Sequence, residues 1–179
     1  MRTTTALSRH SAVLLAMLFA VTGCASYTVA PAVSRGIYRS PEIKAPADIV
    51  YGELLRQVTA RGLQISTDRA AGLLTVPNTA VPDWYLSCNQ LMAGNSPVYV
   101  ITGALANYQF ALQPVAAGTV IQATAQFPRI SYRSRSGVDR VGNEQCYSTH
   151  AFERDMSERV QAVVDPSTKR AEEPVGNRD

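Results

Sequence analysis

The chain has 179 residues, 46% of them hydrophobic and 17% charged, a length that suits one domain with its own core. Its 17 basic and 14 acidic residues leave a net charge of +3. So even a balance does not indicate a basic partner-seeking surface, and nucleic acid is not expected as a partner.

Arg2, Arg9 and His10 make a positive start, and Ala12 to Val21 make an apolar run of ten residues. That is the length of a signal h-region, against the roughly 20 residues that a membrane-crossing helix needs. The run ends in Val21-Thr22-Gly23-Cys24, which resembles the lipobox of bacterial lipoproteins. The resemblance implies a signal peptide over 1–23 and a Cys24 that is acylated on sulfur, freed by signal peptidase II and acylated again on nitrogen. The membrane is then a partner through the lipid on Cys24. An ordinary secretory signal cut near Ala25 is the other reading. Ala25 stands where an aspartate would otherwise follow the cysteine, and by analogy with enterobacterial sorting this implies the outer membrane, with the domain facing the periplasm. Without Met1 to Gly23 there remain 156 residues, with 15 basic against 14 acidic, a net charge of +1.

Once Cys24 carries lipid, Cys88 and Cys146 are left as a pair, which the oxidising periplasm is expected to join as a disulfide. Closing a loop of roughly 60 residues stabilises a fold by about 4 kcal/mol in the chain-entropy model. Two buried free thiols are the alternative. A metal site needs more ligands than His150, the one histidine left after the signal, and no Cys-x-x-Cys is present, so neither metal nor cofactor is expected.

Residues 24–45 read as a lipidated tether, punctuated by Pro31 and Pro41 and mostly irregular. Twenty flexible residues have an r.m.s. span of roughly 25 Å, which holds a domain clear of the headgroups. Ile37 and Tyr38 are suited to dock as a short edge strand. Pro46 to Arg61 predicts the first helix, with Pro46 and Asp48 in the first turn and Gly62 at the end. Val50, Leu54 and Val58 recur at helical spacing, Ile49, Tyr51 and Leu55 widen the stripe, and Glu53, Arg56 and Gln57 face outward. Leu63 to Ser66 and Gly72 to Val76 flank a polar connection and predict a hairpin. The segment 78–83, with Pro82, breaks the pattern, after which Trp84, Leu86 and Cys88 alternate onto one face. A loop with Gly94, Asn95, Ser96 and Pro97 follows, long enough to cover one sheet edge. Val98 to Thr102 reads either as a short strand or as a loop leaning on the core.

Tyr108, Phe110 and Leu112 alternate with polar residues, and beyond Pro114 to Gly118 so do Ile121, Ala123, Ala125 and Phe127. After Pro128 the parity changes to Ile130 and Tyr132, which predicts a bulge at the proline. Gly137 to Glu144 is turn-like, and Gln145 to Ser148 is a last strand. Ala151 to Val164 is a closing helix with Phe152, Met156, Val160 and Val163 inward. Residues 165–179 form a polar tail expected to be disordered. The domain therefore spans 46–164 and is α+β: a helix, an antiparallel sheet of about five strands and a closing helix, with one intra-domain disulfide.

The glycine-ended helix running into Gly62-Leu63-Gln64-Ile65, the Asp68 to Gly72 hairpin, Trp84 to Cys88, and Cys146-Tyr147-Ser148-Thr149 leading to Glu153 resemble a group of small proteobacterial lipoproteins. Most of that group has no assigned activity. The element order is also similar to the helix-grip domains of the C-type accessory lipoprotein of the outer-membrane β-barrel assembly machine, in layout and not in motif. Thr149-His150-Ala151 departs from the Ser-Thr-Gly run usual in the group.

Catalytic signatures are sparse. A Ser-His-Asp hydrolase would have to use His150 without a Gly-x-Ser-x-Gly elbow, so His150 reads as a helix-start residue. Asp83, Asp139 and Glu144 are carboxylates without a telling spacing, and Gly94 and Gly103 make no phosphate loop. One directional charge remains, the stripe of Arg129, Arg133 and Arg135 with Arg140 beyond. It fits an anionic lipid, lipopolysaccharide phosphate or glycan, or else is a solvated face that keeps a strand from pairing with strangers. The expectation is a non-catalytic outer-membrane lipoprotein that serves as an interaction or structural module and has an envelope protein partner. An envelope enzyme or small-ligand binder, using the groove between helices and sheet, is the rival.

Overall fold

The alternation around Tyr108 and Ile121 builds the longest feature of the chain, a hairpin of β8 (Tyr99–Val115) and β9 (Gly118–Ser134), each 17 residues. The computed structural model describes residues 26–142 and 145–165; the signal 1–23, Cys24 and the tail from 166 onward lie outside the described residues. In β8, Ala104, Ala106, Tyr108, Phe110 and Leu112 are buried, and in β9 Ile121, Ala123, Phe127, Ile130 and Tyr132. Asn107 pairs with Gln126 but Leu105 with Arg129, so β9 carries one extra residue beside Pro128. The expected bulge is present, and it re-aims Ile130 and Tyr132 into the core. Val98 to Thr102 resolves as the approach to and the opening of β8.

β8 also pairs with β4 (Leu73–Val81), which pairs with the short β3 (Ser66–Asp68), so a hairpin is present, but its first strand lies at 66–68, largely in the expected connection, and not over Leu63 to Ser66. Asp68 accepts the Ala71 N–H in its turn, and Gly72 takes φ +63° there. β4 runs on where a break was expected. Its register slips between Val76 and Thr79, and Asn78 sits at φ +50° with its N–H bonded to the Asn107 Oδ1 at 2.8 Å. The residues that read as a loop are a bulge that the neighbouring strand completes.

Beyond β9 stand β10 (Asp139–Gly142) and β2 (Tyr38–Arg39), giving a six-stranded sheet. Two smaller sheets join it. One is β5 (Leu86–Cys88) with β11 (Cys146–Ser148), and the other is β1 (Tyr27–Ala30), β6 (Gln90–Ala93) and β7 (Ser96–Pro97). The fold is α+β and its pairing is antiparallel, but eleven strands occupy the described residues in place of about five. Strands of two to four residues carry no readable period, and β1 finds β6 far along the chain.

Two helices, α1 (Ala47–Ala60) and α2 (Ala151–Val164), pack together against the buried side of β8. From α1 come Val50, Leu54 and Val58, and from α2 Phe152, Met156 and Val160. Ile49 and Val163, expected inside, are exposed, whereas Glu53, expected outside, is buried with its carboxylate bonded by Arg56 and Gln57. Trp84 is exposed because Asp83–Tyr85 is a 3-10 turn, which breaks its alternation with Leu86 and Cys88.

The expected tether is the largest correction. Tyr38 does dock beside β9, opposite Ala123, as foreseen. Yet Ile43 and Thr119 also exchange N–H and carbonyl bonds at 2.9 Å each, Ser40 bonds Ile121 twice, and Tyr38, Ile43 and Ala45 are buried. An open edge of β9 takes whatever chain lies beside it. Gly118 permits the approach, since a Cβ there would meet the Ile43 carbonyl oxygen at 2.1 Å.

Candidate functional site

The chemistry expected of this chain converges on the start of α2. Cys146 lies directly opposite Cys88 in the β5–β11 pair, and the two are joined, as expected, by a disulfide with Cα atoms 4.0 Å apart. Beyond it the Thr149 N–H donates to the Tyr85 carbonyl and its hydroxyl to the Trp84 carbonyl, both at 3.0 Å. His150 then takes φ +66° and caps α2. Its Nε2 lies 3.0 Å from the Gly36 carbonyl and its ring stands edge-on to Tyr38 at 5.6 Å. The histidine holds the N-terminal segment against the helix start.

Around Glu153 the space between helices and sheet is filled. Tyr108 lies 4.2 Å from Phe152 between ring centroids, with Tyr85 and Phe110 beyond at 6.1 and 6.3 Å. Leu54, Val58 and Met156 are fully buried around them. Glu153 shares this space. It is fully buried, and neither carboxylate oxygen has a hydrogen-bond partner among the described residues, nor does the Tyr108 hydroxyl. Burial pushes the Tyr108 phenol well up, and the fields of Glu153 and Tyr85 add to it. Burial likewise raises Tyr85, with Asp155 contributing, and raises Tyr38 against the bond to Ser157 that lowers it. The sequence carried a signal for Glu153, since residues 153, 156, 157 and 160 keep i, i+3, i+4, i+7 spacing and are all buried.

Open clefts lie elsewhere among the described residues. One of about 310 Å³ sits between the start of α1 and Gly72, one of about 390 Å³ between β1 and Cys88, and one of about 570 Å³ on the outer sheet face around Gly103 and Arg129. None of the three reaches Glu153 or His150.

The arginine stripe is divided by the sheet. Arg129 and Arg133 are exposed on the outer face and Arg135 lies in the turn after β9. Arg133 is bidentate to Asp139 at 2.7 and 3.2 Å, which holds that carboxyl below its usual range. Arg140 pairs in register with Tyr132, on the opposite face, and its guanidinium covers Tyr99 at 4.1 Å and Tyr132 at 5.3 Å. The four side chains therefore do not form one anion-binding surface. Strand alternation explains it: β10 crosses the sheet with Asp139 opposite Arg133 and Arg140 opposite a core residue.

Of the three carboxylates, Asp139 is thus engaged, Asp83 borders the cleft beside β1, and Glu144 lies outside the described residues. Among the described residues no group of His, Cys, Asp or Glu is placed to hold a metal ion, and no helix is long and apolar enough to cross a membrane. Neither a protein-family model nor a curated protein matches the chain.

Proposed function

We propose that this is an outer-membrane lipoprotein, anchored through Cys24, whose domain faces the periplasm and acts as a non-catalytic interaction or structural module of the cell envelope. The observation that carries this reading is the packing around Glu153: Tyr108, Phe110, Phe152 and Met156 fill the space there between helices and sheet, and the cleft that stays open beside the start of α1 is away from Glu153 and His150. A domain of this kind works with its surface. Among the described residues, the outer edge of β10 and that of β4 from Val76 to Val81, which β3 does not cover, have no strand partner. An extended partner segment adds to such an edge by main-chain hydrogen bonds. The Cys88–Cys146 bond suits an oxidising compartment, and the lipobox supports the anchor.

Both halves of the reading are tested in cells. Wild-type protein is expected to take up labelled palmitate and to fractionate with the outer membrane, while Cys24→Ala remains an unprocessed precursor without label. Equal labelling of the variant overturns the anchor. Photoreactive residues at Ala80 and Val141, both exposed on the open edges, are expected to give discrete protein adducts in intact envelopes. Their absence at both positions overturns the interaction module.

The rival reading, an envelope enzyme or small-ligand binder in the groove, draws on one observation. Glu153 keeps a buried carboxyl without a hydrogen bond, and functional sites are where such costs are tolerated. It predicts that Glu153→Gln abolishes the envelope phenotype of a deletion strain's complementation without lowering protein level, whereas the surface reading predicts full complementation.

A further inference from the structure

A strand, β1, begins at Tyr27, close after Cys24 in the sequence. Two residues, Ala25 and Ser26, stand between it and Cys24, a reach of at most roughly 11 Å. Tyr27 pairs with Ala93 and Val29 with Leu91 across β1 and β6. Directly opposed residues stand on one face of a sheet. The other face belongs to Thr28, Ala30, Gln90 and Met92, and of these Ala30 and Gln90 border the cleft against Cys88 and Val100. Tyr27, Val29, Leu91 and Ala93 therefore point away from the domain, with Tyr27 59%, Val29 63% and Leu91 40% exposed.

No residue of this small sheet is charged. No Asp, Glu, Lys or Arg occurs from Ala25 to Ser34 or from Trp84 to Pro128, in a chain that is 17% charged. All three strands of the small sheet fall inside those two stretches.

We propose that this face of the β1–β6–β7 sheet lies on the phospholipid interface beside the lipid-bearing Cys24 and sets the orientation of the domain on the membrane. The inference rests on the anchor proposed above. A link of two residues holds the sheet at high local concentration against the headgroups, so a patch too small to bind a bilayer alone is sufficient. A tyrosine ring suits the boundary between headgroups and acyl chains. With no charged side chain to desolvate on the face, the contact has no large opposing cost. It is also insensitive to salt, unlike a basic patch.

The test uses the full chain, acylated in cells, purified in detergent and reconstituted into vesicles of phosphatidylethanolamine and phosphatidylglycerol. A photoreactive amino acid replaces Val29, Leu91, Thr28 or Val115 in turn, each an exposed position. Thr28 shares the strand but not the face, and Val115 stands at the hairpin tip, roughly 50 Å along β8 from Tyr99. Lipid adducts are expected to be several-fold more abundant from Val29 and Leu91 than from Thr28 and Val115, at low and high salt alike. Equal adducts at all four positions, or none at Val29 and Leu91 in protein that floats with the vesicles, overturn the apposition and leave the anchor standing. Protein that carries no acyl chain overturns both. Adducts from Val29 and Leu91 to another protein in intact envelopes, in place of lipid, overturn the apposition in favour of a protein partner.

Discussion

Glu53 and Glu153 are two buried carboxylates on neighbouring helices with opposite provisions. Glu53 is served from its own helix: Arg56 bonds it through two nitrogens at 2.8 and 2.6 Å and Gln57 through its amide at 2.6 Å. The Arg56 bond holds the Glu53 carboxyl below its ordinary value, against burial that raises it, with Gln57 helping. Because the folded value lies below the unfolded one, this contribution is fully present above the ordinary carboxylate range near about 4.3 and is lost as pH falls through the lowered value. Glu53→Gln is thus expected to cost about 1 kcal/mol at pH 7, the exposed end of Arg56 keeping the figure small, and less at pH 3. Urea unfolding of both proteins at the two pH values checks it; a deficit that does not shrink in acid refutes the assignment. Glu153 has no such partner among the described residues, so replacing it by an apolar side chain of similar length removes a cost and leaves the packing in place. Glu153→Met is expected to raise stability by about 1 to 3 kcal/mol. A lower urea midpoint for the variant would mean that the carboxyl is bonded after all.

At the scale of elements, the disulfide does work that the strands it joins do not. β5 and β11 have three residues each, too few to hold together alone, and they connect the 3-10 turn to the start of α2. Their cysteines are 58 positions apart, and closing a loop of that length is expected to contribute about 4 kcal/mol in the chain-entropy model. Reduction, or the double change of Cys88 and Cys146 to alanine, should lower the unfolding free energy by about that amount; an unchanged urea midpoint would place the stability entirely in the core. The elements legible in the sequence are those whose signal is local. β8 and β9 announce themselves by alternation, the bulge by the parity change at Pro128, and α2 by Phe152, Met156 and Val160 before Asp165-Pro166. What stays hidden depends on a distant partner. The segment from Asn78 reads as a break until Asn107 supplies its side chain, and Trp84 reads as strand because a 3-10 turn has no period of its own. The arginine stripe reads as one surface because β10, which divides it, has only four residues. Glu153 was legible as spacing but not as burial, since charge at a core position argues against the stripe that contains it.

For the molecule as a whole, the question is where the domain begins, and the packing of the N-terminal segment answers it with a measurable quantity. Residues 38–45 close the edge of β9 and bury Tyr38, Ile43 and Ala45 against α2 and the hairpin. Tyr38 joins Ser157 through its hydroxyl and meets His150 at its ring edge, while Lys44 donates its N–H to Asp165 at the far end of α2. The segment thus bridges both ends of the closing helix. Fully burying a large apolar side chain contributes about 1.5 to 3 kcal/mol, so losing Tyr38 and Ile43 together should cost roughly 4 kcal/mol, a large share of what a domain of this size has. A secreted chain beginning at Ala25 is therefore expected to unfold cooperatively at a distinctly higher urea concentration than one beginning at Pro46, and amide exchange at Thr119 and Ile121 is expected to quicken in the shorter one. Equal midpoints with unchanged exchange would return residues 26–45 to the role of a tether. They would also loosen the case for a fixed orientation, because a sheet held by an undocked segment has nothing rigid to align.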